Sequence, residues 1–274
     1  MKRLFFMILL VLPVAGIISA QDNTRNNSFT FRWGPGQLNR QDLVFSPFIH
    51  SGVSFLNGGL EYTRSSRMYH QVKLRYSGYS GMREGPYEYM EYEEIKTAHP
   101  HMFSLIDLDY LVGTHTASPG RLGLFFGGLF TSDIQPLNYV YGRMAHFGYY
   151  AALGLGGFVK LTYRLGAKSR MGTGLQLPFF SWAARSPYLV NDDEFIENTG
   201  SHSGVKTFLS FLADGDPVTW NRLQYGDLHV YYAYHINARW QLGADYYLDF
   251  IHFTQPRPLT SLKNSLALSA TFRF

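Results

Sequence analysis

Cysteine is missing from all 274 residues, which excludes a disulfide framework and any thiolate metal site. An excess of one charge is missing too. With Lys2 and Arg3 set aside, 22 basic side chains face 20 acidic ones, a balance that gives no support to nucleic-acid binding. Long apolar runs are confined to the first twenty residues. Beyond them Gly, Ser and Asn break every stretch, so no later segment can cross a membrane as a helix of about 20 apolar residues. Nothing calls for a cofactor, and Gly154-Leu155-Gly156-Gly157 falls inside an alternating segment, where it is not a phosphate loop. His99-Pro100-His101 offers two imidazoles without a third ligand, so no metal site is expected.

What is abundant is aromatic and small: 22 Phe, 20 Tyr, 4 Trp and 27 Gly. The start, "MKRLFFMILLVLPVAGIISA", has Lys2 and Arg3, an apolar run from Leu4 to Ile18, and the small residues Ser19 and Ala20 before Gln21. That order predicts a signal peptide over 1–20, export by the Sec route and a mature chain of 21–274.

The mature chain alternates with period two. In 261–274 Leu262, Leu266, Leu268, Ala270, Phe272 and Phe274 oppose Lys263, Ser265, Ala267, Ser269, Thr271 and Arg273. In 240–253 Trp240, Leu242, Ala244, Tyr246, Leu248 and Phe250 oppose Gln241, Gly243, Asp245, Tyr247 and Asp249. Such alternation predicts strands. About ten residues per strand exceeds the usual five or six of soluble sheets and matches a tilted bilayer crossing. Unpaired backbone is costly in hydrocarbon, so the sheet must close. The expected fold is all-β, a closed antiparallel transmembrane barrel of about ten strands. Their positions are 28–33, 48–63, 68–80, 101–115, 121–136, 146–164, 170–185, 224–236, 240–253 and 261–274. Twelve strands is the alternative, with a further hairpin in 186–223. An exported sandwich or lipocalin-like barrel is the soluble alternative, and it would turn the apolar faces inward. Connections at 64–67, 117–120, 166–169 and 236–239 are short; those at 81–100, 134–145, 186–223 and 253–260 are long and expected outside the cell.

The signal peptide, the amphipathic strands and the terminal Phe274 resemble bacterial outer-membrane β-barrel proteins, with Phe272 and Phe274 in the position of their C-terminal assembly signal. The resemblance implies a place in the outer membrane, contact with membrane lipid, and recognition by the barrel-assembly machinery during biogenesis. It names no external ligand.

If apolar faces meet lipid, Glu61, Lys73, Arg75, Lys160, Arg164, Asp245 and Asp249 line the lumen, and opposite charges there are expected to pair. The reading is a porin-like barrel with a largely plugged, charge-braced lumen and a structural, small-solute or binding role, with no committed catalytic centre. A hydrolase is the first alternative. Asp107-Leu108-Asp109 and Asp227-Leu228-His229 are similar to the paired carboxylates and Asp–His couple of the omptin proteases. Carried across, His229 would activate a water, Asp227 would orient it, and Asp107 and Asp109 would bind or polarise the substrate. Counting along the strands puts the two pairs roughly 10 Å or more apart in depth. A lipid hydrolase would use His50 with Ser51 or Ser54, or His202 with Ser201 or Ser203, facing lipid. Surface binding through the acidic, Tyr-bearing loops 82–102 and 191–204 is the second alternative.

Overall fold

Alternating residues bring ladder after ladder into register over lengths rarely seen in soluble sheets. The computed structural model describes residues 26–80, 87–91, 93–98, 101–116, 121–141, 144–186, 197, 200 and 203–274. The expected signal peptide, Ser201, His202 and the His99-Pro100 half of the His-Pro-His motif lie outside these residues. In chain order the elements are β1 (Asn27–Asp42), β2 (Ile49–Ser65), β3 (Tyr69–Ser80), β4 (Tyr87–Glu91), β5 (Glu94–Ala98), β6 (His101–Thr116), β7 (Leu122–Tyr141), β8 (Met144–Arg164) and β9 (Ser169–Arg185). There follow α1 (Gly204–Ala213), β10 (Asp216–Thr219), β11 (Leu223–His235), β12 (Trp240–Phe253) and β13 (Leu259–Arg273).

Ten strands close the wall in the order β9-β11-β12-β13-β1-β2-β3-β6-β7-β8, with β8 pairing back onto β9. The seam joins the first and last strands, Ser28 opposite Arg273 through to Asp42 opposite Leu259. Trp33, Leu60, Leu74, Leu108, Val159 and Leu268 stay exposed on the outside, while the buried clusters lie within. Apolar side chains therefore form an outer belt, and the soluble alternative with inward apolar faces does not hold.

Strand bounds depart from the alternation where the ladder bulges. The first strand runs to Asp42 instead of stopping at residue 33, because Pro35 in "WGPG" sits at a register shift between Gly34 and Gly36. There a missing N–H costs no ladder bond. The extra residue on β2 leaves Phe55 and Leu56 both exposed and switches the inward set from His50 and Gly52 to Asn57 and Glu61. A second shift, beside Pro178 in β9, leaves Phe179 and Phe180 both exposed.

The expected long connection at 134–145 is instead strand: β7 and β8 pair as far as Tyr141 opposite Met144. The segment 81–100 carries the β4–β5 hairpin, paired from Tyr87 opposite Ala98 to Glu91 opposite Glu94. The twelve-strand alternative is not realised. Within 186–223, β10 pairs with Phe180–Ala183 of β9, continuing the edge that β11 leaves at Gln176. Helix α1 packs on the outer side of the wall: Trp182 Nε1 donates to Leu212 O at 2.7 Å, and Phe211 stacks on Tyr149 at 4.2 Å.

Candidate functional site: the barrel lumen

Inward positions on all ten strands build a lumen with three levels. At the loop end, Arg40 Nη1 donates to Gln135 Oε1 at 2.5 Å, its Nε donates to the Tyr139 hydroxyl at 3.2 Å, and its Nη2 reaches Asp42 at 3.3 Å. Arg185 closes the same group from β9. It pairs with Asp42 and donates to the carbonyls of Gln255 at 2.9 Å and Arg257 at 2.6 Å. Asp42 also accepts from Val44 N, which turns the β1–β2 connection inward. Phe45 then stacks on Tyr139, centroids 4.4 Å apart at 10°. With Leu38, Tyr79, Phe103, Leu105 and Leu137 these rings form one buried cluster in the loop-end half.

The middle level is charged. Arg75 reaches Asp227 at 2.8 Å, Asp249 at 3.0 Å and Asp107 at 3.6 Å. Lys263 bridges Asp107 and Asp249 at 2.8 Å each, and Lys73 pairs with Asp109 at 3.0 Å. Thr131 donates to Asp109 at 2.6 Å, and Gln135 holds both oxygens of Asp133 at 3.0 and 2.8 Å. Arg75 to Asp249 and Lys263 to Asp107 join strands that are not neighbours in the wall. These pairs cross the lumen.

The turn-end level is open. Arg32 pairs with Glu61 at 2.9 Å and Asp245 at 3.3 Å, and Asp245 also takes His229 Nε2 at 2.7 Å. His229 lies flat on Tyr247, centroids 4.2 Å apart at 2°. Below them is a cavity of about 300 Å³ reaching Asn26 and Arg273 at the mouth. Above it lie separate, smaller cavities of about 30 Å³ beside Arg75 and Lys263 and about 10 Å³ beside Asp133 and Tyr225. A single water needs some 10–15 Å³, so the last of these has room for one water at most.

Several expected positions are corrected here. Asp107 and Asp227 do not sit about 10 Å apart in depth; one guanidinium touches both. Strands tilt and stagger around a barrel, so residues counted from a strand end do not measure height. His229 takes its carboxylate from Asp245, not from Asp227 two residues away. His50 does not face lipid. It is buried and packs edge-on against His101, centroids 4.2 Å apart, while Ser51 donates to Asn39. Arg164 is exposed at the turn end, outside the lumen charges, because β8 ends with it. Glu61, Lys73, Arg75, Asp245 and Asp249 meet in the pairs above, and Lys160 faces the cavity. Arg32, Arg40, Asp42, Asp133, Arg185 and Lys263 were missed as lumen residues. The first three lay in or beyond a strand cut short at residue 33. Parity could have found Asp133 and Lys263, whereas Arg185 faces inward only because the shift beside Pro178 reverses the parity of β9. Among the described residues no three His, Asp or Glu side chains converge as a metal site.

No family model matches the sequence, and no curated protein matches it either. Solved structures do match. The outer membrane protease OmpT from Escherichia coli superposes with a TM-score of 0.50 at 9% identity, over 90% of this chain and 96% of that one. Neisserial surface protein A aligns over 91% and 97% with a TM-score of 0.37 at 8% identity. The toluene transporter TodX from Pseudomonas putida aligns over 93% and 90% with a TM-score of 0.34 at 11% identity. At such identities the likeness is one of fold, and none of those activities is carried over. With the apolar belt and the closed ten-strand wall, the chain has the fold of a bacterial outer-membrane β-barrel protein and its place is that membrane.

Proposed function

We propose that this barrel does not conduct and serves the outer membrane in a structural or binding role. The supporting observation is the pairing of Arg75 and Lys263 with carboxylates across the lumen, under a buried cluster of aromatic and aliphatic side chains at the loop end. A buried ion pair brings little net stability over an apolar equivalent, but breaking one costs some 3–5 kcal/mol. Opening a pathway here would break several at once. The hydrolase reading draws less support, because the residues it needs are engaged with other side chains of the lumen. Asp107, Asp109 and Asp227 are held by Lys263, Lys73 and Arg75, and His229 by Asp245.

The test is planar-bilayer recording on the purified, folded barrel. The expected trace shows no steady conductance above the bare membrane. Stable porin-sized steps would overturn the proposal.

A further inference from the structure

The turn-end cavity holds more positive charge than its wall can match. Both acids that line it, Glu61 and Asp245, are taken up by Arg32 and His229. Three further cations line the same space: Lys160, Arg170 and Arg273. Lys160 Nζ has the Tyr69 hydroxyl at 3.3 Å and lies over the Tyr69 and Tyr231 rings at 5.5 and 5.3 Å. Arg170 Nε is buried without a hydrogen-bond partner. Arg273 donates to Gln241 at 3.1 Å and lies close enough to Arg170 for the two guanidiniums to repel. None of the three has a carboxylate within ion-pair distance among the described residues.

Cations that outnumber the carboxylates of a partly enclosed space are held at a cost, which an entering anion offsets. Guanidinium groups present a donor fork that matches phosphate and carboxylate oxygens. The remaining lining suits the rest of such a molecule, since Tyr69, Tyr231 and Phe125 give ring faces and edges beside the cations. A volume of about 300 Å³ is at the small end of ligand sites. We infer that the turn-end vestibule is a binding site for a small soluble organic anion, a phosphate or carboxylate head on an aromatic or apolar body. The anion enters from the periplasmic side, where barrels of this kind keep their short turns. The inference gives the binding role proposed above a ligand class and rests on it. Its failure is separable, because conductance reads the plug while the measurement below reads the vestibule.

The probe is phenyl phosphate, titrated calorimetrically into the folded barrel in an uncharged maltoside detergent, with benzylamine as the cationic control. Saturable one-to-one binding of phenyl phosphate, weakened by added salt, is expected, with none of benzylamine. Lys160→Gln and Arg170→Gln are each expected to weaken it roughly tenfold to a hundredfold, the range of one charge-assisted hydrogen bond. Lys160→Arg keeps the charge and is expected to retain binding, as is Lys168→Gln on the exposed neighbouring turn. Heat-modifiable migration of each variant confirms that it is folded. Absence of binding to the folded wild type, or binding by Lys160→Gln and Arg170→Gln as tight as that of the wild type, overturns the assignment. If reconstitution into phosphatidylglycerol vesicles abolishes binding that phosphatidylcholine vesicles preserve, a lipid headgroup holds the site and the soluble-anion assignment falls.

Discussion

Arg185→Ala is the sharpest probe of the closed loop end. The guanidinium holds the Asp42 carboxylate and the carbonyls of Gln255 and Arg257, so one side chain ties the ends of β1 and β9 to the β12–β13 connection. Its loss removes three charge-assisted hydrogen bonds of about 1.5–3 kcal/mol each. Simple addition overshoots, because Asp42 keeps Arg40 at 3.3 Å and the N–H of Val44 at 3.1 Å. Breaking a buried pair from one side costs some 3–5 kcal/mol, and the remaining partners place this case near the lower bound, about 3 kcal/mol. Asp42 is fully buried, so solvent cannot take over from the lost partner. Urea unfolding of the barrel in lipid vesicles, followed by the fluorescence of its 4 Trp residues, gives the number. Asp42→Asn with Arg185→Ala removes the charge from both sides. The double variant is expected to lose about 1–2 kcal/mol less than the sum of the single variants. A single variant within 0.5 kcal/mol of wild type, or strict additivity of the pair, would refute the account of this clasp.

Two further outcomes follow from packing and from the terminus. A Cβ on Gly148 would stand 2.4 Å from Phe45 Cζ, so Gly148→Ala must push the ring off Tyr139, at a cost of about 1–3 kcal/mol. Phe45→Leu in the same background is expected to recover part of that loss, and an unchanged urea midpoint for Gly148→Ala would contradict the inward plug. Phe272 packs on Trp240 at 5.1 Å and Phe274 closes the seam by exchanging backbone hydrogen bonds with Asn27. Deleting Phe272–Phe274 is therefore expected to cut the heat-modifiable, membrane-inserted fraction far more than deleting three residues from 187–196, where length changes are tolerated. Equal assembly at matched expression would show that the terminus carries no such role.

The wall was legible because one face of every strand meets lipid and the other meets protein, which writes period two over the whole chain. It became illegible where the ladder bulges. "WGPG" reads as a break, since Gly and Pro end strands in soluble sheets, yet Pro35 sits at a shift where its missing N–H is harmless. The lipid-hydrolase alternative needed His50 to face lipid, and the extra residue near Phe55, which reverses the parity between His50 and Glu61, turns it inward. Membership of the lumen followed from parity alone for Lys73, Arg75 and Asp249. Partnership did not, because Arg75 and Asp249 come together across the barrel from strands that never pair.

That distinction bears on how polar pairs in a barrel are read. An inward face that is polar at every second position produces Asp-x-Asp and Asp-x-His patterns without any chemistry to perform. Asp227 and His229 share such a face, yet Asp227 is met from β3 by Arg75 and His229 from β12 by Asp245. Their spacing is that of the strand, and their partners are those of a brace. A group held on all sides cannot take up a substrate without breaking what holds it. What marks a place for a ligand is the opposite condition, charge that faces a space and has no opposite charge within ion-pair distance in the wall. In this lumen the mid-level carboxylates fail that condition. Lys160, Arg170 and Arg273 meet it, at the mouth where the space is widest.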